Sequence, residues 1–130
     1  MAKKFQLITP IVLVIVGLFV LDQCTRGDPS RWPERTFTSS EWMRTSPKDR
    51  YVFVQDILRR HLFVGKTYDE MTGLLGSPSQ DFRTQPEHLV EYEVQEGGSR
   101  LEFASAGYVL DLLFDEKSGR IKRARLRSYF

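Results

Sequence analysis

The sequence predicts a small α+β domain, in which two helices pack on a three- to four-stranded antiparallel β-meander. Two observations predict it: apolar residues recur at three- and four-residue spacing before Pro78 and at two-residue spacing after it. A third observation, an apolar run over residues 5–21, predicts an N-terminal membrane segment. We therefore divide the chain into a signal or anchor segment at 1–24, a linker at 25–46, and the α+β domain at 47–130.

The composition is that of an ordinary globular protein, with 41% hydrophobic and 28% charged residues among 130. A formal net charge of +2 does not suggest a general nucleic-acid-binding protein. The single cysteine, Cys24, excludes an internal disulfide, and with only two histidines no cysteine–histidine zinc site can be assembled. We expect neither a metal nor a cofactor.

The N-terminal segment has two interpretations. Lys3 and Lys4 precede the apolar run at 5–21, a pattern typical of a segment that engages the export machinery. The run is just long enough for an uncleaved transmembrane anchor. Alternatively, Cys24 becomes the lipid-modified first residue of a bacterial lipoprotein, although the aspartate and glutamine before it are unusual at such a site. Both interpretations place the rest of the chain outside the cytoplasm, on the periplasmic side of the inner or outer membrane.

The predicted linker contains glycine, proline, serine and threonine and lacks hydrophobic periodicity, which is typical of a tether. It also contains four large apolar residues that a plain spacer does not need: Trp32, Phe37, Trp42 and Met43. Either Phe37 and Trp42 fold back and extend the core of the domain, or these residues contact a partner or the membrane interface.

Two helices are predicted from their termini. Ser46 and Pro47 favour the start of the first helix, whose apolar stripe continues to about residue 60. Thr67 and Glu70 form a capping box at the start of the second helix. Gly76 is expected to end that helix by adopting a left-handed conformation.

The strands follow Pro78. Alternation predicts that Val90, Tyr92 and Val94 face the core, and that Glu91 and Glu93 face outwards. The predicted segments are a strand at 89–94, a short strand or loop at 101–103, a strand at 108–115 and a last strand at 121–129. The glycine-containing turn before the last strand predicts a hairpin, and hairpins pair strands antiparallel.

Several of these segments resemble one protein family. The residues Phe-Val-Gly-Lys-Thr at 63–67, Met71 and Leu-Leu-Gly-Ser-Pro at 74–78 resemble the signature of the BamE/SmpA–OmlA-like family. Residues 110–115 and 119–121 are similar to its penultimate strand, turn and last strand. The resemblance implies two helices on a three-stranded antiparallel sheet, a place in the cell envelope, commonly as a lipoprotein, and a non-enzymatic, partner-binding role. The best-known member is an accessory subunit of the outer-membrane β-barrel assembly machine.

Charge is unevenly distributed along the chain: it is +4 over residues 25–66, −9 over 67–116 and +6 over 117–130. The last strand carries most of the final positive block. One interpretation is that its arginines pair with acidic residues of neighbouring strands and protect an exposed sheet edge. The other is that they dock an acidic partner or anionic lipid headgroups. The candidate partner-binding residues are Arg123, Arg125, Arg127 and Tyr129.

We find no constellation that predicts catalysis, because each carboxylate pair in the sequence is explained by a helix start, a turn or an outer strand face. The leading hypothesis is a membrane-tethered extracytoplasmic protein-interaction module, an accessory or scaffolding component in cell-envelope or outer-membrane protein assembly, and not an enzyme. The alternative is a small-ligand or lipid-binding envelope protein with a pocket between helices and sheet. That pocket would be lined by Tyr92, Phe103, Tyr108 and Phe114.

Overall fold

A computed structural model of the protein describes residues 28–84, 87–95 and 107–129. The chain divides into two compact units, Met1–Trp32 and Pro33–Phe130. In the first unit the described part is a short 3-10 turn, Pro29–Arg31, which begins where the Asp28 carboxylate accepts a hydrogen bond from the Ser30 amide.

The expected signal or anchor at 1–24, including Cys24, lies outside the described residues. In the part of the chain that the structure does describe, every helix is too short or too polar to cross a membrane.

The second unit contains three helices and a four-stranded antiparallel sheet within its described residues. The helices are α1 (Ser39–Arg44), α2 (Val54–Arg59) and α3 (Tyr68–Leu75). The strands are β1 (Gln80–Thr84), β2 (Glu87–Gln95), β3 (Gly107–Phe114) and β4 (Ile121–Tyr129). Their order in the sheet is their order in the chain, so the sheet is a meander. The predicted α+β class is confirmed, whereas the sequence interpretation lacked α1 and β1.

The first predicted helix is divided into two parts. A 3-10 helix spans Pro47–Phe53, and only α2 continues it as an α-helix. The Ser46 hydroxyl does not cap a backbone amide; instead it donates to the Asp49 carboxylate at 3.0 Å.

The helix α3 begins and ends at the predicted residues, but Gly76 combines its positive φ with a ψ of −163°, which is not the left-handed conformation expected, and the Glu70 carboxylate accepts from the Thr67 hydroxyl at 3.1 Å. The Thr67 hydroxyl accepts a hydrogen bond from the Glu70 amide at 3.3 Å. Gly76 follows the helix with φ of 78°, a conformation that a residue with a Cβ adopts at a cost. Met71 and Leu75 lie on the buried side of α3, and the helix therefore rests on the core through this face.

The helix α1 packs into the core through Trp42, which has no exposed surface. Its indole Nε1 donates to the Leu75 carbonyl at 3.0 Å, and its ring contacts those of Phe37, Phe53 and Tyr92. Residues 33–46 of the segment interpreted as a linker thus belong to the folded unit, and Phe37 and Trp42 extend its core.

A buried carboxylate fastens this segment to α2. Asp56 accepts a hydrogen bond from the Phe37 amide at 2.8 Å and from the Arg60 Nε at 2.7 Å. The Arg60 hydrogen bond is the main reason that the pKa of Asp56 lies below its usual value, in spite of burial, which opposes it. The charged form of Asp56 therefore stabilises the contact between α2 and the chain that precedes it.

The inner sheet face packs tightly against the helices. Val90, Tyr92 and Val94 are buried, as predicted, together with Leu110 and Leu112 of β3. The Tyr92 hydroxyl donates to the Gly76 carbonyl at 2.7 Å. Tyr92 therefore packs within the core, where its ring contacts that of Trp42, instead of lining an open pocket. Phe103, another expected lining residue, lies outside the described residues.

Candidate interaction surface

The last strand forms one edge of the sheet. β4 pairs with β3 on one side, and on its outer side it meets the chain's own residues 65–67 only where it begins. The Gly65 amide donates to the Ile121 carbonyl at 2.7 Å, and the Ile121 amide donates to the Lys66 carbonyl at 2.8 Å. Among the described residues no strand lies beside the outer edge beyond Ile121. From residue 122 to 128, the outer edge of β4 is therefore not covered by any of the described strands.

The strand register places the candidate binding residues on the sheet face opposite the helices. Arg125 lies across from Asp111, Arg127 across from Val109, and Arg123 across from Leu113. Since side chains alternate along a strand, Arg123, Arg125 and Arg127 share this face with Tyr129. Asp111 in turn lies across from Glu91 of β2. We call this surface, carrying Glu91, Asp111, Arg123, Arg125, Arg127 and Tyr129, the outer sheet face.

Two of the arginines form a charge network around Asp111. The Asp111 carboxylate has no exposed surface, and its Oδ2 accepts from the Arg125 Nε at 3.1 Å and the Arg127 Nε at 2.9 Å. Arg127 also forms an ion pair with Glu91. The hydrogen bond to Asp111 is the main cause that raises the pKa of Arg127 above its usual value, because it favours the charged form of the guanidinium. Asp111 and Glu91 thus pair with Arg125 and Arg127, as expected of arginines that pair with acidic residues of neighbouring strands, although the main acidic partner is Asp111.

One oxygen of this network has no partner. Asp111 Oδ1 is buried and accepts no hydrogen bond from any residue that the structure describes. A buried carboxylate oxygen without a donor costs free energy, and the arginine contacts at Oδ2 offset that cost. The network therefore depends on both arginines, because the loss of either leaves more of the negative charge uncompensated.

Tyr129 is held against the sheet. Its hydroxyl donates to the Glu93 carboxylate at 3.4 Å. Its ring lies so close over Gly107 that a Cβ built there would be 2.6 Å from the hydroxyl oxygen. Tyr129 thus covers a glycine of the neighbouring strand, an arrangement that fixes the register of β3 and β4.

Lys122 and Arg123 differ from the other β4 cations. Both side chains are exposed, and neither forms an ion pair with a residue in the described part of the chain. Arg123 faces Leu113 rather than a carboxylate. The structure thus separates the candidate residues: Arg125, Arg127 and Tyr129 contact their strand neighbours, and Arg123 presents an uncompensated charge.

Asp111 is the residue that the sequence interpretation missed. The signal was a single carboxylate in the apolar strand 108–114, at a position that alternates with Leu110 and Leu112. Because β3 lies between β2 and β4, long side chains of the neighbouring strands cover Asp111 on the outer sheet face, and a carboxylate buried there requires a cationic partner.

A cleft of about 510 Å³ opens between the start of α3 and the nearby ends of the strands. Tyr68, His88 and Phe114 form its aromatic side, with the His88 and Phe114 rings stacked 4.7 Å apart. The rest of its lining is polar and predominantly acidic: it includes Glu116 and other carboxylates, and Arg83 is its cation. Phe114 is therefore the expected pocket residue that does line a cavity, although at a different place.

Asp81 contacts two residues that line the cleft, His88 and Tyr68. Its Oδ1 lies 2.7 Å from the His88 Nε2, and its Oδ2 accepts from the Tyr68 hydroxyl at 3.0 Å. Desolvation is the largest single effect and raises the pKa of Asp81, but the hydrogen bonds with His88 and Tyr68 together with the electrostatic influence of His88 and Arg83 lower it by more, so the pKa is lowered overall. The contact with Asp81 fixes the His88 ring in one orientation. The described residues contain no group of three or more histidine, cysteine or acidic side chains arranged to hold a metal ion.

Comparisons with family models, with curated proteins and with solved structures found no match for this chain. The resemblance to the BamE/SmpA–OmlA-like family therefore stays a prediction from the sequence motifs.

Proposed function

We propose that this chain is a membrane-tethered extracytoplasmic protein-interaction module that works without catalysis. In this proposal it serves as an accessory or scaffolding component in the assembly of cell-envelope or outer-membrane proteins. The apolar segment at 5–21 supports the tether. The family resemblance supports the place in the cell envelope.

The observation that carries the interaction role is the uncompensated charge on β4. Lys122 and Arg123 are exposed cations on an edge strand, next to arginines whose charges are already paired. Lys122 and Arg123 form no ion pair among the described residues, so both cations can pair with acidic groups of another molecule. This favours a binding role for the last strand.

Photocrosslinking in the native envelope tests the interaction role. A photoreactive lysine analogue that retains the positive charge replaces Arg123, and the same analogue replaces Lys48, an exposed cation of the 3-10 helix, as the matched control. We expect a discrete protein adduct from position 123 and none from position 48. Equal, diffuse labelling from both positions, or no protein adduct from position 123, would refute the interaction role.

Mass spectrometry of the mature N-terminus tests the tether. An acyl adduct on Cys24 identifies a lipoprotein, and an intact Met1 or Ala2 terminus identifies an uncleaved anchor; either result supports the proposal. A mature chain that begins after Cys24 and carries no lipid would refute it.

The cleft favours a second candidate function, the binding of a small ligand in the cell envelope. A cavity with an aromatic side and a few polar groups is typical of small-molecule sites. Native mass spectrometry of the chain purified from its envelope would detect a retained ligand, and His88→Ala should release it. The control is His61→Ala, because His61 is exposed and does not line the cleft. Retention by both variants would exclude the cleft as the site.

A further inference from the structure

We propose that the outer edge of β4, from residue 122 to 128, receives an extended acidic segment of a partner protein, which adds to the sheet as a fifth strand. The inference rests on the proposed interaction function and names the chemistry of the partner. Two features of the structure support it: the backbone geometry of this edge and its charge.

The edge already forms backbone hydrogen bonds with the end of a turn, residues 65–67, at its first position. Residues 65–67 make two backbone hydrogen bonds with Ile121 and an antiparallel bridge between Thr67 and Arg120. The backbone at the start of β4 therefore has the geometry that strand pairing requires. Beyond this bridge, no described strand pairs with the outer edge of β4 over residues 122–128. This length is enough for a partner segment of about seven residues.

The charge of the edge selects an acidic partner. Lys122 and Arg123 have no carboxylate partner among the described residues. The side chains of Arg125 and Arg127 remain 39% and 40% exposed although they bind Asp111, so incoming carboxylates can reach them as well. Opposite charges on directly facing strand positions are favourable, and like charges are not.

The alternation of β4 predicts a pattern in the partner. Partner residues facing Arg123, Arg125 and Arg127 would be acidic. Those facing Ala124 and Leu126, which are only half-buried on the other sheet face, would be apolar. The partner segment is therefore expected to alternate acidic and apolar residues.

Edge-strand cations have a second use, which is to prevent pairing between identical molecules. Two copies of β4 would place arginines and lysines against each other and repel. The same cations attract a strand of opposite charge, so edge protection and acidic-partner binding are compatible. A second copy of this chain is thus excluded as the occupant by its own charge.

The test uses the full-length chain in nanodiscs of zwitterionic lipid and a fluorescent heptapeptide, Glu-Val-Glu-Val-Glu-Val-Glu, followed by fluorescence anisotropy. We expect saturable binding that Arg123→Glu weakens by about tenfold. Arg123→Gln should weaken it less. The control Lys117→Glu makes the same charge change in the turn before β4 and should leave the affinity within about twofold. An equal loss in the Arg123 and Lys117 variants would overturn the proposal.

Two N-methylated peptides test for strand pairing. Alternate residues of a strand direct their amides to opposite edges, so methylating only the glutamate nitrogens or only the valine nitrogens blocks opposite edges. One of the two peptides should therefore lose binding and the other should keep it. If both bind as tightly as the unmodified peptide, the surface acts by charge alone and the proposal is wrong.

Anionic lipid is the competing occupant. If the chain ignores the peptide but binds vesicles containing phosphatidylglycerol in an Arg123-dependent manner, the edge recognises headgroups and the proposal is overturned. A protein crosslink from position 123 together with no peptide binding would overturn this inference while leaving the proposed interaction function in place.

Discussion

Truncating Trp42 tests whether the segment before the 3-10 helix is structural. Its side chain is fully buried, and its indole donates to the Leu75 carbonyl at 3.0 Å. The Arg50 guanidinium lies 4.7 Å from the centre of its ring, and the Arg50 Nε donates to the Trp42 carbonyl. Trp42→Ala therefore removes an aromatic ring, a hydrogen bond and a cation–π contact at once.

The magnitude follows from these contacts. Replacing a buried tryptophan by alanine costs about 3–5 kcal/mol. Domains have free energies of unfolding of about 5–15 kcal/mol, so this loss is a large part of the total. In a domain of this size, each kcal/mol lowers the melting temperature by about 4–8 °C. Trp42→Phe keeps an apolar ring and leaves the Leu75 carbonyl unpaired, for a cost of about 1–3 kcal/mol.

The assay is urea unfolding of the full-length chain in mild detergent, followed by tryptophan-independent far-ultraviolet circular dichroism. Met43→Ala is the matched control, since Met43 lies next to Trp42 on α1 but is 45% exposed. We expect it to change the free energy of unfolding by about 0.5 kcal/mol or less. Equal midpoints for Trp42→Ala and Met43→Ala would refute the reasoning and return residues 33–46 to the role of a tether.

Three further predictions concern other contacts. Since the pKa of Asp56 is lowered in the folded protein, its contribution to stability is present above its usual pKa of 3.8 and is lost as the pH falls through the lower value. Asp56→Asn should therefore cost about 1–3 kcal/mol near neutral pH and less in acid, whereas parallel pH profiles of urea unfolding would contradict this. Gly107→Ala should cost about 1–3 kcal/mol by displacing Tyr129. A thermal-melt double-mutant cycle should show a smaller cost in a Tyr129→Ala background, and full additivity would exclude the contact. Tyr92→Phe should cost about 1 kcal/mol through the lost hydrogen bond to Gly76, measured by urea unfolding; an unchanged midpoint would exclude that bond.

Helix α3 was predictable because its signals are local. Thr67, Glu70 and Gly76 act within one helix, through hydrogen bonds and a backbone conformation that depend little on the rest of the fold. The inward residues of β2 were predictable for a similar reason, since the alternation of Val90, Tyr92 and Val94 requires only one buried sheet face.

The elements α1 and β1 were not predictable because their stability comes from distant contacts. α1 has six residues, too few to be stable alone, and is held by Trp42 against α3 and the sheet. β1 has no alternating apolar pattern, and its Phe82 is 42% exposed. It is ordered by pairing with β2, where Phe82 lies across from Leu89. Tertiary packing decides both elements.

The sequence predicted which residues form the candidate surface, but not which of them stabilise the fold and which remain unpaired. Counting cations identified Arg123, Arg125 and Arg127 together, because a sequence does not show which of them face a carboxylate. The register supplies that distinction through Asp111, which binds two arginines and leaves the third facing a leucine. Arg125 and Arg127 thus pair with a buried carboxylate of the fold, and under our proposal Arg123 binds a partner.

The arginines of β4 differ in whether the fold requires them. A buried carboxylate in the central strand needs cationic partners, and the neighbouring edge strand is the nearest place to supply them. Arg125 and Arg127 meet that need, so their replacement would disturb folding before it revealed anything about binding. Lys122 and Arg123 contribute no ion pair to the described part of the fold. Arg123 is exposed and forms no ion pair within the described fold, so its replacement should leave folding intact. A loss of partner binding can therefore be separated from a loss of structure at this position.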